Sequence, residues 1–246
     1  MKRIKEMIRN IPLWGVAAGP VILILQYSIY LLGELISHLT GTDQWAFACK
    51  IPALDDRIPL VPAFILVYVL SFAYWIGGYI IISLTGKRNY VNFLLTLVIS
   101  YAICFLIFIF VPTYIDRVAE GGIAQAQQPG VISWLLAFIY RFDGWETGRN
   151  LLPSLHCLAS TVCYLSVRRQ PAIPKAVRVY TLIGALLICL STVLTKQHYI
   201  IDVFSGILLA LICYFLARRW DLGRKYETAS WPLTKTIGEW QDERKG

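Results

Sequence analysis

The sequence contains a series of long apolar blocks with few or no charged residues. They occupy, approximately, residues 11–36, 60–84, 91–114, 154–167, 179–194 and 199–217. A helix that crosses a bilayer needs about 20 apolar residues, and the fourth block approaches that length only with the apolar residues before it. The blocks therefore predict an all-α fold, a six-span transmembrane helical bundle over residues 1–220.

Composition supports a membrane location for these blocks. Only 15% of the residues are charged and 57% are hydrophobic, whereas soluble domains average about 25% charged residues. The chain therefore has too few charges to cover a water-facing surface. Residues 131–140 form a further apolar segment that is too short to span, and we expect it to lie along the membrane interface.

The distribution of lysine and arginine predicts the orientation of the bundle. These residues are concentrated in the N-terminus, in the loops after the second and fourth blocks, and in the tail. The positive-inside rule then places both termini in the cytoplasm, together with a polar tail at residues 221–246 that contains Trp231, Pro232 and Trp240. These loops account for the net charge of +8, so no nucleic-acid partner is expected. The chain is predicted to be a multi-pass protein of the plasma (inner) membrane.

This topology brings three polar clusters to the outer face, although they are distant in sequence. One cluster follows the third span, one precedes the fourth span, and one lies between the fifth and sixth spans. A single active site requires such convergence. We therefore expect the catalytic residues within residues 112–206, facing outward.

The cluster between the fifth and sixth spans contains His198 and Asp202, four residues apart. On a helix this spacing places both side chains on one face, where the carboxylate can hydrogen-bond an imidazole nitrogen. An imidazole oriented in this way can act as a nucleophile or a base. The alternative is a polar pair at a helix mouth that water satisfies, but ionisable residues near a span are costly to keep without a function.

The cluster before the fourth span reads Pro153-Ser154-Leu155-His156. Proline suits the first turn of a helix, whose free N–H groups and positive dipole end can hold an anion. Ser154 adds a hydroxyl and His156 a proton donor, although a serine at this position also serves as an ordinary helix cap. The third cluster contributes Arg117, which can bind phosphate or simply anchor the chain at the interface.

These motifs resemble those of the type 2 phosphatidic acid phosphatases, which share their site with vanadium haloperoxidases. That family carries Lys-x6-Arg-Pro, Pro-Ser-Gly-His and Ser-Arg-x5-His-x3-Asp in this order. Here the second motif is Pro153-Ser154-Leu155-His156, and the third is Ser191-Thr192, five residues, His198, three residues and Asp202. Spacing and order match over roughly the last half of the chain, and the six-span plan matches throughout.

The chain departs from the family pattern at several positions. Val118 follows Arg117 in place of proline, and Phe110 stands where the first lysine is expected. Thr192 replaces the third-motif arginine. Leu155 replaces the glycine, as in the branch that includes inositol phosphorylceramide synthases and sphingomyelin synthases, where a pair such as His198-Tyr199 is also usual.

Two phosphate-binding cations of the family are therefore missing. Lys196, close to His198 in sequence, can supply one replacement charge, and Arg141 or Arg149 another. Asp143 and Asn150 lie in the loop before the site, where they can orient Arg141 or a lipid headgroup; ordinary loop polarity explains them equally well.

The resemblance implies a role for each site residue. His198 would attack phosphorus and form a phosphohistidine, Asp202 would orient its ring, and His156 would act as general acid and then general base. Residues that would hold the phosphate oxygens are Arg117, Ser154, Lys196 and Thr192. No cofactor is implied. A metal site formed by His156, His198 and Asp202 is conceivable, but the His-Glu-x-x-His zinc signature is absent.

The function implied is that of a membrane-bound lipid phosphate or pyrophosphate phosphatase that works at the extracytoplasmic face. A second interpretation is a lipid phosphotransferase that moves a phosphoalcohol headgroup to a lipid hydroxyl. Both would share the covalent intermediate, and the Leu155 and Thr192 departures favour transfer. A third interpretation is a non-catalytic lipid-binding or transport protein; the intact His156, His198 and Asp202 argue against it.

Overall fold

The computed structural model describes residues 2–228 and 235–243, which are mainly helical. Its α-helices are α1 (Lys2–Arg9), α2 (Leu13–Thr40), α3 (Pro52–Asp55), α4 (Ile65–Ile82), α5 (Lys87–Phe110), α6 (Gly122–Ala126), α7 (Val131–Phe142), α8 (Leu155–Val167), α9 (Lys175–Leu194), α10 (Ile200–Trp220) and α11 (Ile237–Glu243). Short 3-10 turns occur at Thr42–Trp45, Pro62–Phe64, Ser83–Thr85 and Leu222–Tyr226. Two short strands, β1 (Tyr114–Asp116) and β2 (Thr147–Arg149), pair antiparallel.

Five helices in the described part of the chain are long and apolar enough to cross a membrane. They cover Leu13–Thr40, Pro62–Thr85, Lys87–Phe110, Lys175–Leu194 and Ile200–Trp220. The fourth predicted span corresponds to α8, which has 13 residues and falls short of the length that a full crossing needs. The apolar residues before it do not extend the helix, because Ser154 caps it. A sixth span and cytoplasmic termini stay predictions.

The short helix α8 lies at the centre of the bundle. It packs against α4, α5, α9 and α10, and most of its side chains are buried. Small residues allow this close packing: a Cβ on Gly206 of α10 would lie 2.5 Å from the Ser154 carbonyl oxygen, closer than real contacts allow. The start of α10 therefore lies against the start of α8, where the second and third motifs meet.

The outer faces of the long helices remain apolar. Ile24 on α2, Leu70 on α4 and Leu186 on α9 are each more than 60% exposed. Soluble proteins rarely expose such continuous apolar surface. Such apolar faces are suited to contact with the acyl chains of lipids.

The two ends of the described chain meet at one end of the bundle. α1 packs against α11, and Arg9 forms an ion pair with Asp242 at 2.6 Å. The first and last described helices therefore lie at the same end of the bundle. Trp240 of the predicted tail lies on α11; Trp231 and Pro232 lie outside the described residues.

The segment between α5 and α8 covers the other end of the bundle. The β1–β2 pairing brings residues 114–116 beside residues 147–149, and α7 packs against α4 and α6. The predicted interfacial segment is thus the 12-residue helix α7. This cap carries Arg117 and Asp143 to the end of the bundle where the two histidine motifs lie.

Candidate active site

Hydrogen bonds join the starts of α8 and α10. The Ser154 hydroxyl accepts the Cys157 backbone N–H at 3.4 Å and caps α8. The Ser154 backbone N–H donates to the Asp202 carbonyl oxygen at 3.0 Å. Ser154 is fully buried, so its side chain acts within the protein as a helix cap. These hydrogen bonds fix the positions of the second and third motifs relative to each other.

His198 lies in the turn before α10, not on the helix with Asp202 as the four-residue spacing predicted. The pair nevertheless forms, because the Asp202 carboxylate reaches back over the helix start. Its Oδ2 accepts the Tyr199 backbone N–H at 2.9 Å and lies 3.3 Å from His198 Nδ1. The N–H groups of Gln197 and His198 both donate to the Thr192 carbonyl oxygen, at 2.9 and 3.0 Å, which anchors the turn to α9.

His156 occupies the first turn of α8 and faces His198, with ring centres 6.2 Å apart. Its imidazole stacks on Tyr68 at 4.3 Å between ring centres and contacts Trp75 at 4.9 Å. Its Nε2 atom is buried and has no hydrogen-bond partner among the described residues. A buried polar nitrogen without a partner is costly, and a substrate oxygen would satisfy it.

Arg117 is completely buried behind the wall of this site. Its guanidinium donates to the Asp143 carboxylate, with which it forms an ion pair, and to Gln197 Oε1 at 2.7 Å. It also donates to the carbonyl oxygens of Asp143 and Trp145, both at 3.1 Å, and lies 4.5 Å above the Tyr140 ring centre. Arg117 therefore links the cap to the turn that carries His198.

Asp143 lies between Arg117 and the cavity that His156 and His198 line. Its carboxylate accepts hydrogen bonds from Arg117 and from the Tyr30 hydroxyl. The Asn150 amide donates to the Tyr30 carbonyl oxygen at 3.2 Å, so the cap is also tied to α2. Asp143 and Asn150, predicted as loop residues near the site, both reach it.

These residues surround one cavity. Its walls come from α2, α4, α7, α8 and the loops at this end, and they comprise Gln26, Tyr27, Tyr30, Tyr68, Phe72, Trp75, Ile139, Phe142, Asp143, Asn150, Leu151, Leu155, His156, Gln197 and His198. Six of these side chains are tyrosine, phenylalanine or tryptophan. Among the described residues that line the cavity, Asp143 is the one carboxylate and none is lysine or arginine.

The structure does not bring Lys196 into this cavity. Its ammonium donates to the Ile58 carbonyl oxygen at 2.9 Å and pairs with Glu120 at 3.1 Å. Glu120 also pairs with Lys50 at 2.7 Å, and hydrogen bonds to Asp56 and Glu120 raise the pKa of Lys50 above its usual range. Lys196 therefore forms part of an ion-pair network beside the site.

Three other predicted cations or donors also point elsewhere. The Thr192 hydroxyl donates to the Cys189 carbonyl oxygen at 2.8 Å within α9, so Thr192 contributes through its backbone. Arg141 is exposed and lies 5.3 Å from the Trp145 ring centre. Arg149 pairs with Asp43 at 3.5 Å.

Sequence reasoning missed several cavity residues. Gln197 lies inside the third motif, and the sequence does not show that its amide oxygen accepts a hydrogen bond from Arg117. Gln26 interrupts an apolar block, which is the kind of signal that marks a functional or structural polar group inside a span. Its Oε1 accepts the Tyr101 hydroxyl at 2.8 Å. Tyr68, which stacks on His156, carries no signal in the sequence.

The described residues contain no group of three or more His, Cys, Asp and Glu side chains arranged to hold a metal ion. The reactive groups that line the cavity include two imidazoles, those of His156 and His198. One is held by a carboxylate and the other has an unpartnered nitrogen. Such a pair can combine a nucleophile with a proton donor.

The fold and the site together define a helical membrane protein with a two-histidine, one-aspartate centre. The family model for the PAP2 superfamily matches residues 44–216, more than half of the chain. The chain therefore belongs to the PAP2 superfamily, the type 2 phosphatidic acid phosphatase superfamily that its motifs resemble, and is an integral membrane protein of the phosphatase type. Neither the comparison with curated proteins nor that with solved structures finds a significant match.

Proposed function

We propose that this protein is a lipid phosphate or pyrophosphate phosphatase that works through a phosphohistidine on His198. The observation that carries the proposal is the pairing of His198 with Asp202 opposite an unpartnered His156 nitrogen, across one cavity. Asp202 favours the tautomer in which Nδ1 carries the proton, which leaves the Nε2 lone pair free to attack phosphorus.

The first step transfers the phosphoryl group to the protein. His198 Nε2 forms a bond to phosphorus, the bond from phosphorus to the leaving oxygen breaks, and that oxygen takes a proton from His156. In the second step a water molecule attacks phosphorus and gives a proton to His156. The P–N bond breaks, its electron pair returns to His198, and phosphate leaves with both histidines restored.

Binding of the phosphate oxygens requires positive charge, and none of the residues that line the cavity is lysine or arginine. Arg117 is a buried cation that contacts two cavity residues, Gln197 and Asp143, and the Asp143 carboxylate neutralises it. We propose that substrate phosphate displaces the Asp143 carboxylate from Arg117, while the first N–H groups of α8 supply further donors. Lys196 would have to leave Glu120 to take part, and Thr192 supports the His198 turn through its carbonyl oxygen.

The aromatic walls support a lipid as the substrate. Phe142, near the end of α7, lines the cavity and is 56% exposed, which is consistent with a cavity that opens beside an apolar side chain. An acyl chain can leave beside Phe142 while the phosphate faces the histidines. The positive-inside distribution of Lys and Arg favours the extracytoplasmic side for this reaction.

A second candidate is transfer of a phosphoalcohol headgroup to a lipid hydroxyl. It is favoured by the charge of the cavity, because Asp143 repels a phosphate monoester dianion more than a phosphodiester monoanion. In this reaction the lipid hydroxyl, in place of water, gives its proton to His156 and attacks the phosphohistidine. A non-catalytic lipid-binding role is the third candidate and leaves the His198–Asp202 pair without a function.

Two assays, phosphate release and headgroup exchange between labelled lipids, separate these candidates. Purified protein in detergent is given a panel of lipid phosphates and pyrophosphates, and phosphate release is compared with that of the His198→Ala variant. The matched control is His38→Ala, which removes an exposed histidine that pairs with Asp43 away from the cavity.

Release that His198→Ala abolishes and His38→Ala retains is the expected result for the phosphatase. Headgroup exchange between labelled lipids, without phosphate release, would replace the phosphatase by the transferase. No turnover in either assay would contradict both enzymatic candidates and favour lipid binding.

A further inference from the structure

A cavity with three basic lining residues lies at the opposite end of the bundle, where α8 ends and α9 begins. Its lining consists of Tyr164, Arg168, Lys175, Arg178, Val179 and Leu182. Arg168 immediately follows the last residue of α8, and from His156 to Arg168 the helix rises roughly 18 Å at about 1.5 Å per residue. This basic cavity is therefore separate from the histidine site.

The three cations of the basic cavity have no carboxylate partner in the part of the chain that the structure describes. The sequence explains this, because neither aspartate nor glutamate occurs between residues 147 and 201. Other arginines are paired, as Arg117 is with Asp143 and Arg88 with Asp221. The positive charge of the basic cavity is thus available to an external anion.

Two buried donors strengthen this conclusion. The Nε atoms of Arg168 and Arg178 are buried and without a hydrogen-bond partner among the described residues. The Arg178 guanidinium donates to the Arg168 carbonyl oxygen at 3.4 Å, and the Arg168 guanidinium lies 5.9 Å from the Tyr214 ring centre. Keeping like charges close together and partly desolvated is unfavourable unless an anion offsets them.

The surroundings of the basic cavity indicate an anion that carries a lipid chain. Val179 and Leu182 form an apolar wall on α9, and the same helix exposes Ile183 and Leu186 further toward the middle of the bundle. An acyl chain attached to a bound phosphate can follow this surface. The start of α9 adds the positive end of a helix dipole beside the arginines.

We propose that the basic cavity binds the phosphate group of one anionic membrane phospholipid, whose acyl chains lie along α9. Basic pockets between membrane helices commonly bind anionic headgroups in this way. The bound lipid stabilises the α8–α9 connection and is not the substrate of the histidine site.

The test measures lipid binding by the full-length protein in a zwitterionic detergent. Thermal unfolding is followed while phosphatidylglycerol, phosphatidylcholine or inorganic phosphate is added, because a ligand that binds the folded state raises the unfolding temperature. The test variant is Arg168→Gln with Arg178→Gln. The matched control is Arg169→Gln, which removes a neighbouring exposed arginine that does not line the cavity.

We expect phosphatidylglycerol to stabilise the unmodified protein and Arg169→Gln, while phosphatidylcholine and inorganic phosphate do not. Loss of both cavity arginines weakens phosphatidylglycerol binding by about 30-fold, at roughly 1 kcal/mol for each cation. Equal binding by the double variant, or an equal loss in Arg169→Gln, would overturn the proposal. Stabilisation by inorganic phosphate alone would identify a free anion as the ligand and would equally overturn it.

If the double variant does not fold, Lys175→Gln provides the same test. Lys175 is the first residue of α9 and is exposed, so the helix tolerates glutamine there. The expected loss is about five-fold in phosphatidylglycerol affinity. Unchanged affinity in Lys175→Gln would then count against the site.

Discussion

The substitution Asp202→Asn tests whether the carboxylate beside His198 acts electrostatically. Asparagine has the same shape, and its amide oxygen can keep the place of Oδ2, which accepts the Tyr199 N–H at 2.9 Å and faces His198 Nδ1 at 3.3 Å. The start of α10 is then retained. The substitution removes the negative charge. The NH2 group of the asparagine takes the buried position of Oδ1, which has no hydrogen-bond partner in the described structure.

The expected loss follows from the 3.3 Å separation. At an effective dielectric constant of about 20, opposite unit charges at that distance attract by about 5 kcal/mol, and this attraction exists only when the ring of His198 becomes positive during attack. A loss of 4–5 kcal/mol in the transition state lowers kcat by about three orders of magnitude. The corresponding Asp-to-Asn change in Ser-His-Asp proteases costs about 10⁴-fold.

The matched control is Asp55→Asn. Asp55 is buried and caps the same helix, since its Oδ1 accepts the Ile200 N–H at 2.9 Å and its Oδ2 the Ile51 N–H at 2.6 Å. It has no contact with His198. Its substitution removes an equivalent charge near the start of α10, so kcat is expected to stay within about ten-fold of the unmodified value.

Phosphate release and the unfolding temperature are measured for both variants with the substrate that the unmodified protein turns over best. Asp202→Asn is expected to fold, with a modest drop in unfolding temperature, and to lose nearly all activity. The reasoning is refuted if Asp202→Asn keeps more than a tenth of kcat. It is also refuted if Asp55→Asn loses as much activity as Asp202→Asn.

Three further outcomes are expected. In His156→Ala, given an activated phosphate ester whose leaving group needs no proton, the phosphohistidine accumulates, since His156 activates the water that hydrolyses it; acid-labile, alkali-stable labelling detects the intermediate, and its absence contradicts the role. Asp143→Asn frees Arg117 of a competing anion, so KM for a phosphate monoester falls several-fold; a rise would instead indicate a cationic headgroup. Hydrogen bonds and charge from Arg88 lower the pKa of Asp221 from 3.8 to about 2. Ionised Asp221 therefore stabilises the folded protein fully above about pH 4, and this stabilisation is lost as the pH falls toward 2. Asp221→Asn therefore lowers the unfolding temperature at pH 7 but not at pH 2, and a difference that persists at pH 2 is the opposing result.

The membrane helices were accessible to sequence reasoning because each is specified by local composition. The block at residues 60–84 corresponds to the span Pro62–Thr85, and the block at 199–217 to Ile200–Trp220. A continuous apolar run of this length has few alternatives to a helix, since every backbone N–H and C=O must be satisfied within the bilayer. The superfamily prediction rested on motif spacing and order, and the family match confirms it.

The positions where helices begin and end were predicted less accurately than the spans. The spacing of His198 and Asp202 suggested one helix face, but α10 begins at Ile200 and the contact arises from a carboxylate that caps the helix. Similarly, the fourth block contains only the 13-residue α8, whose start is set by Ser154 and by the close approach of Gly206. Such boundaries depend on capping and packing, which hydropathy does not encode.

Five of the six predicted spans, the order of the motifs and the presence of two histidines and an aspartate could be read from the sequence, because these depend on composition and spacing along the chain. Which charges form pairs became evident only from the tertiary structure. It pairs Arg117 with Asp143 and directs Lys196 to Glu120, although spacing suggested that both cations serve the phosphate. The physical reason is that a buried charge is stabilised by whichever partner folding brings within hydrogen-bond distance, and partners distant along the chain leave no local pattern.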